Sequence, residues 1–128
     1  MNCGVYDFED VVDYGRRVVH KSALPALFSN EYENRTFLKM NNPAYYIKKV
    51  TPDPIFISTC HNDFLKKHTF MLRDELMRRQ LPHRYHFEPT IKVRIGHVYN
   101  LIFLSSTEGK RTNDAMIEFF LSDFGKAN

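Results

Sequence analysis

The chain has 128 residues, 43% of them hydrophobic and 26% charged, the makeup of a soluble globular chain about one domain long rather than of a disordered one. Its 18 basic and 15 acidic residues are mixed along the sequence for a net charge of +3, and no run of about five or six like charges marks a nucleic-acid-binding arm. No window approaches the roughly 18 consecutive apolar residues of a membrane span, and Met1-Asn2-Cys3-Gly4-Val5-Tyr6-Asp7 lacks the charged and apolar regions of a signal peptide, so a cytoplasmic protein is expected.

Residues 8–19 set Phe8, Val11, Val12, Gly15, Val18 and Val19 at spacings of three and four, with acidic groups early and Arg16 and Arg17 late. That pattern predicts an amphipathic helix aligned with its own dipole. From Ser22 to about Tyr46 the pattern loosens but stays rich in Leu24, Leu27, Phe28, Tyr32, Phe37, Leu38, Tyr45 and Tyr46, which suits short helices joined by polar turns. Thr51-Pro52-Asp53-Pro54 disfavours helix, and the apolar run Ile55-Phe56-Ile57-Ser58 that follows reads as a buried parallel strand.

Beyond its polar exit Thr59-Cys60-His61-Asn62-Asp63, Leu65, Thr69, Leu72 and Leu76 share one helical face, and Pro82 ends that helix. His83 to Glu88 alternates so that Tyr85 and Phe87 share a side, which predicts a second strand and completes a βαβ unit. A loop then leads to Gly96-His97, a mixed apolar stretch Val98–Leu104, a polar break at Ser105–Lys110, and a final helix near Asn113–Phe124 carrying Met116, Ile117, Phe119, Phe120 and Phe124. The fold class is α/β and strand-poor, with no internal repeat and no second domain evident.

Loops at the C-terminal ends of parallel strands are where such folds place their chemistry, which singles out Asp63 and His97. The segments Pro54-Ile55-Phe56-Ile57-Ser58-Thr59-Cys60-His61-Asn62-Asp63 and Gly96-His97-Val98-Tyr99-Asn100, with the terminal helix through Phe119-Phe120, stand in the order of the later half of an α/β-hydrolase. The chain resembles the acetyl-esterase/lipase branch of that family. Asn2–Phe8 resembles the segment leading from a central strand into the cap region, and residues 22–47 would form cap or acyl-pocket structure; Tyr32, Phe37, Tyr45 and Tyr46 could line such a pocket, although aromatic residues in a cap more often simply pack it.

The resemblance implies a single partial α/β-hydrolase domain over residues 1–128, with Asp63 as triad acid and His97 as general base. A histidine of near-neutral pKa takes a serine proton and returns it to a leaving group, while a carboxylate fixes its tautomer and supports the imidazolium. Asp before His also agrees with the fold's chain order. One departure is Cys60, where many relatives have glycine; a positive φ there would strain the backbone.

A nucleophile elbow needs G-x-S-x-G, and none is present: Ser22, Ser29, Ser58, Ser105, Ser106 and Ser122 all lack that setting. No HGGG-like oxyanion segment occurs either. The expectation is therefore a chain inactive by itself toward esters, needing an N-terminal hydrolase half to act on a small ester substrate. The alternative is a non-catalytic binding or assembly module, for example a homo-oligomer that covers an exposed sheet edge.

Other readings of these residues are plainer. Asp63 suits a helix N-cap before Phe64-Leu65-Lys66, a role compatible with the triad. Neighbours on a strand exit point apart, so Cys60-His61 reads as a buried or semi-buried thiol beside a histidine rather than as a nucleophile–base pair. His83 and His86 fall on opposite faces of a strand, so neither they nor His61 and His68 are expected to bind metal. Cys3 and Cys60 are expected as reduced thiols, and no cofactor is implied.

Overall fold

The computed structural model describes residues 6–18, 29–47, 53–92 and 95–123, without the side chains of 14–18, 29 and 123. It divides into two compact units, Val5–Thr51 and Met1–Gly4 with Pro52–Asn128.

In the first unit, helix α1 (Phe8–Val18) starts where Asp7 Oδ1 accepts the amides of Glu9 at 3.0 Å and Asp10 at 3.3 Å, satisfying donors that a helix end leaves open. A 3-10 turn (Ser29–Glu33) leads into α2 (Arg35–Met40), capped by Asn34 Oδ1 from the Phe37 amide at 3.0 Å. Helix α3 (Pro43–Ile47) opens on a proline, which lacks the N–H that would have no partner there. Val12 and Leu38 are fully buried together, with Phe8 and Tyr32 packed against them. Buried Asn42 ties the unit's ends: its Oδ1 accepts from the Phe8 and Ala44 amides, both at 3.2 Å, and its Nδ2 donates to Asp7 at 2.8 Å. These are the short helices that the pattern over 22–46 predicts. Residues 19–28, including Val19, Leu24, Leu27 and Phe28, lie outside the described residues, as do Cys3 and the Val18 side chain.

The second unit is built on two parallel strands, β1 (Ile55–Cys60) and β2 (His83–Glu88), paired from Ile55↔His83 to Cys60↔Glu88. β1 runs two residues past the apolar run, because Thr59 and Cys60 are as buried as Phe56 and Ile57. Helix α4 (Lys66–Arg78) joins the strands and buries His68, Thr69, Leu72 and Leu76. Its Phe70 packs on Tyr85 and Phe87, each 6.4 Å between ring centroids, so those residues do share the face turned toward α4. The helix stops before Pro82: Gln80 takes φ 54, and the amides of Gln80 and Leu81 return to the carbonyls of Met77 and Leu76 at 3.0 and 2.9 Å. That is a Schellman ending with glutamine in the position glycine usually fills.

After a single turn, α5 (Tyr99–Ile102), the long helix α6 (Thr107–Asp123) covers the other face of the sheet. Its Phe119 packs on Phe56 at 5.7 Å, Thr112 bonds His86 Nε2 at 3.0 Å, and Arg84 pairs with Glu118 at 2.8 Å. Burying each of Phe56, Phe119, Leu72 and Leu76 contributes roughly 2 kcal/mol.

α6 begins six residues before the predicted start at Asn113, inside what reads as a polar break. Ser106 Oγ accepts the Gly109 amide at 2.9 Å, the N-cap that starts a helix, and Glu108 sits in the first turn, where the dipole favours it. Phe124 lies outside the described residues. Among those residues, no helix is long and apolar enough to cross a membrane.

Candidate active site

Both parallel strands end at the same edge, so the loops leaving them meet there. The first is short. Asp63 follows β1 by three residues, and its carboxylate is fully buried. Oδ2 accepts from Thr59 Oγ1 at 2.9 Å, and Oδ1 accepts from the Leu65 amide at 2.9 Å. Asp63 is therefore not the N-cap of α4, which begins at Lys66 after Leu65. The carboxylate instead closes a tight turn with the amide two residues on, before the helix starts.

The second loop is long, and it returns His97 to the acid. His97 Nδ1 stands 3.1 Å from Asp63 Oδ1. With the carboxylate accepting, Nδ1 carries the proton, and Nε2 is the nitrogen left basic. The His97 side chain is 31% exposed. Phe64, itself largely exposed, lies against the ring at 4.8 Å between centroids.

Val98, next in the chain, has φ 50 and ψ 29, a left-handed conformation costly for a β-branched residue. Tyr99 and Asn100 beyond it are wholly buried. Tyr99 OH and His86 Nε2 both hydrogen-bond Thr112 Oγ1, and Asn100 pairs with Asn113 at 2.9 Å. The strain at Val98 is held in place by the His97–Asp63 contact before it and by this packing after it.

Further anchors hold the same loop. Glu88, fully buried at the end of β2, accepts from the Thr90 amide and hydroxyl. Arg111 stands 3.3 Å from its other oxygen, as an ion pair without the direction of a hydrogen bond. Lys92 pairs with buried Glu108 at 2.6 Å.

Cys60 is buried with no positive φ, so the backbone strain expected of a side chain there does not arise. Burial first, then the Asp63 carboxylate, push its thiol pKa up, away from the thiolate a nucleophile requires. His61 beside it is exposed. Burial lowers the His86 pKa, with Arg111 and Arg84 acting the same way against Glu88. Among the described residues, no group of three or more His, Cys, Asp or Glu side chains could hold a metal ion.

The structure thus brings together the two residues singled out by position, Asp63 and His97. Sequence reasoning did not find Thr59 and Phe64, the contacts of the acid and the imidazole. A hydroxyl four residues before the acid is the signal available for Thr59; for Phe64 only adjacency was available. Phe37, Tyr45 and Tyr46 are exposed in the helical unit, while Tyr32 is half-buried against Val12 and Leu38.

No protein-family model matches the chain, and no curated protein does. Solved structures do. The chain superposes on C6-C4 SN3 inhibited esterase B from Lactobacillus rhamnosis with a TM-score of 0.78 at 15% identity, over 98% of this chain and 40% of that one. Esterase B from the HN001 strain gives 0.72 at 16% identity, over 92% and 38%. A third structure of that esterase, described with a C4-C4 SN3 tributyrin phosphonate, gives 0.71 at 15% identity. The chain spans about two fifths of the length of these esterases. Two parallel strands with flanking helices, set on that likeness, make this a partial α/β-hydrolase fold.

Proposed function

We propose that this partial α/β-hydrolase fold is the acid-and-histidine portion of a serine carboxylic-ester hydrolase, with Asp63 as the acid and His97 as the general base. The observation that carries the reading is the 3.1 Å contact between His97 Nδ1 and a buried carboxylate at the ends of adjacent parallel strands. The sequence has no G-x-S-x-G, so the nucleophile and the oxyanion donors come from an N-terminal hydrolase half.

In the completed site, His97 Nε2 takes the serine proton as the hydroxyl oxygen attacks the ester carbonyl. It then gives that proton to the departing alkoxide, and the alcohol leaves. Water repeats the sequence on the acyl-enzyme and frees the acid and the serine. Asp63 keeps its charge throughout and supports the imidazolium. Residues 22–47 supply a cap-like segment on this reading. The tributyrin phosphonate described with the esterase B neighbour makes short-chain glyceryl esters the substrates to try first.

Co-expression with an N-terminal half that carries the serine, followed by assays on tributyrin and short-chain p-nitrophenyl esters, tests the proposal. Activity should appear on complementation and fall at least about a thousandfold with His97→Ala. No rescue, or rescue indifferent to His97→Ala, rejects it.

A second reading, a homo-oligomeric assembly module, is favoured by the exposed apolar run Leu101-Ile102-Phe103-Leu104 and by Ile117, Phe120 and Leu121 on α6. Light scattering decides it: a dilute monomer with no concentration dependence argues against assembly.

A further inference from the structure

We infer that Cys60 and Asn62 are positioning residues that clamp the histidine loop, and through it His97, against Asp63. Both stand just before the acid, Cys60 at the end of β1 and Asn62 in the short loop, and each reaches across to the backbone of the long one. Cys60 Sγ lies 3.2 Å from the Gly96 carbonyl oxygen and 3.5 Å from that of Ile95. Asn62 Nδ2 donates to the Lys92 carbonyl at 3.0 Å. Gly96 immediately precedes His97, so one hydrogen bond fixes the backbone at the base, and the other fixes the loop several residues upstream.

The donors suit the task. A thiol has one proton, which the nearer carbonyl, that of Gly96, holds more strongly. The sulfur is wholly buried in a cluster with Ile95 and Tyr99, so water does not compete for it. Burial and the neighbouring carboxylate both keep it protonated, and so a donor. The Asn62 amide is neutral at any working pH and donates regardless.

The clamp supplies what the pair lacks. His97 is half-buried, and Val98 beside it is strained, so the imidazole is held less by burial than the acid is. A displacement of about 1 Å in such a pair is worth about a hundredfold in rate. Setting the backbone at Gly96 and at Lys92, both ahead of the imidazole, limits that displacement before any serine is present.

The inference rests on reading Asp63 and His97 as an acid–base pair, and its test separates the two. In the full chain, the His97 Nδ1 proton is followed by NMR, and its solvent exchange is compared with that of the Ile57 and Leu76 amides in the core. Cys60→Ala and Asn62→Ala should each speed Nδ1 exchange about fivefold, the effect of losing one ordinary hydrogen bond, and leave the core amides unchanged. Cys60→Ser, which keeps a donor, should restore most of the protection.

Asn62 is exposed, so its variant reads the clamp even if Cys60→Ala folds poorly. Unchanged Nδ1 exchange in these variants, or core amides accelerating by the same factor, overturns the inference and leaves the pair standing. An Nδ1 proton indifferent to Asp63→Asn in the otherwise native chain overturns the pair itself, and the clamp with it.

Discussion

The two loops that meet at the strand ends are held in opposite ways. The loop after β1 is governed by its own neighbours: Thr59 four residues before Asp63 and the Leu65 amide two residues after it occupy the carboxylate, which is fully buried. The loop after β2 is governed from a distance. Lys92 reaches Glu108 on α6, Asn100 reaches Asn113, and Tyr99 reaches Thr112, while the histidine stays nearly a third exposed. On the proposed reading of Asp63 and His97, the difference suits the division of work in a proton relay. The acid has only to stay charged and fixed, whereas the base must be reachable while its orientation is set from behind.

The largest expected effect breaks the local side. Asp63→Ala leaves the Thr59 hydroxyl, the Leu65 amide and His97 Nδ1 without this acceptor and should cost about 2–4 kcal/mol in urea unfolding. A loss under about 1 kcal/mol would mean the turn does not depend on its carboxylate.

Gly109→Ala strikes the distant side. A Cβ there would stand 2.3 Å from the Phe103 carbonyl oxygen and 3.0 Å from Ser106 Oγ, so the start of α6 must shift. Helix propensity alone predicts a gain of about 1 kcal/mol. Overpacking against backbone should turn this into a net loss of about 2 kcal/mol, and a raised Tm would refute the steric account.

Lys92→Ala should cost about 1 kcal/mol. Its own side chain is 56% exposed, yet it removes an ion-pair partner from a buried Glu108. Limited proteolysis should show faster cleavage near residue 92 and none added in the acid's loop; equal cleavage of both would erase the distinction between them.

The smallest effect is in pH. Burial holds the folded His86 pKa below its ordinary value of 6.5, so as pH falls through that value the unfolded chain takes up a proton that the folded chain resists. The contribution is complete above pH 6.5 and lost as pH falls toward the folded pKa. His86→Gln should therefore flatten the acid side of the stability curve and leave the slope above pH 7 unchanged. A parallel curve for the variant would place the titrating group elsewhere.

Much of the scaffold was legible. The proline break before Ile55, the apolar run, the three- and four-residue spacing of Thr69, Leu72 and Leu76 and the alternation at Tyr85 and Phe87 are strong local signals of a βαβ unit, and each element formed where they lie. The start of α6 was less visible, because Ser105–Lys110 is polar and contains glycine, and a loop looks the same. Its Ser106 cap with Glu108 in the first turn is a short-range signal outweighed by that composition. The Schellman ending at Gln80 was hidden for a related reason, since glycine is the usual sign and is absent.

By itself, the sequence determined the strand–helix–strand order and the strand end on which Asp63 lies. These depend on contacts within a few residues, where spacing and side-chain type decide the geometry. Only the tertiary structure decided that His97, 34 residues later, returns to 3.1 Å from that carboxylate, and that Cys60 and Asn62 bond the loop that carries it. The loop after β2 has no periodicity to read. Its path is set by partners on α6 and on the loop after β1, which come within reach only once the sheet has paired and α6 has packed on it.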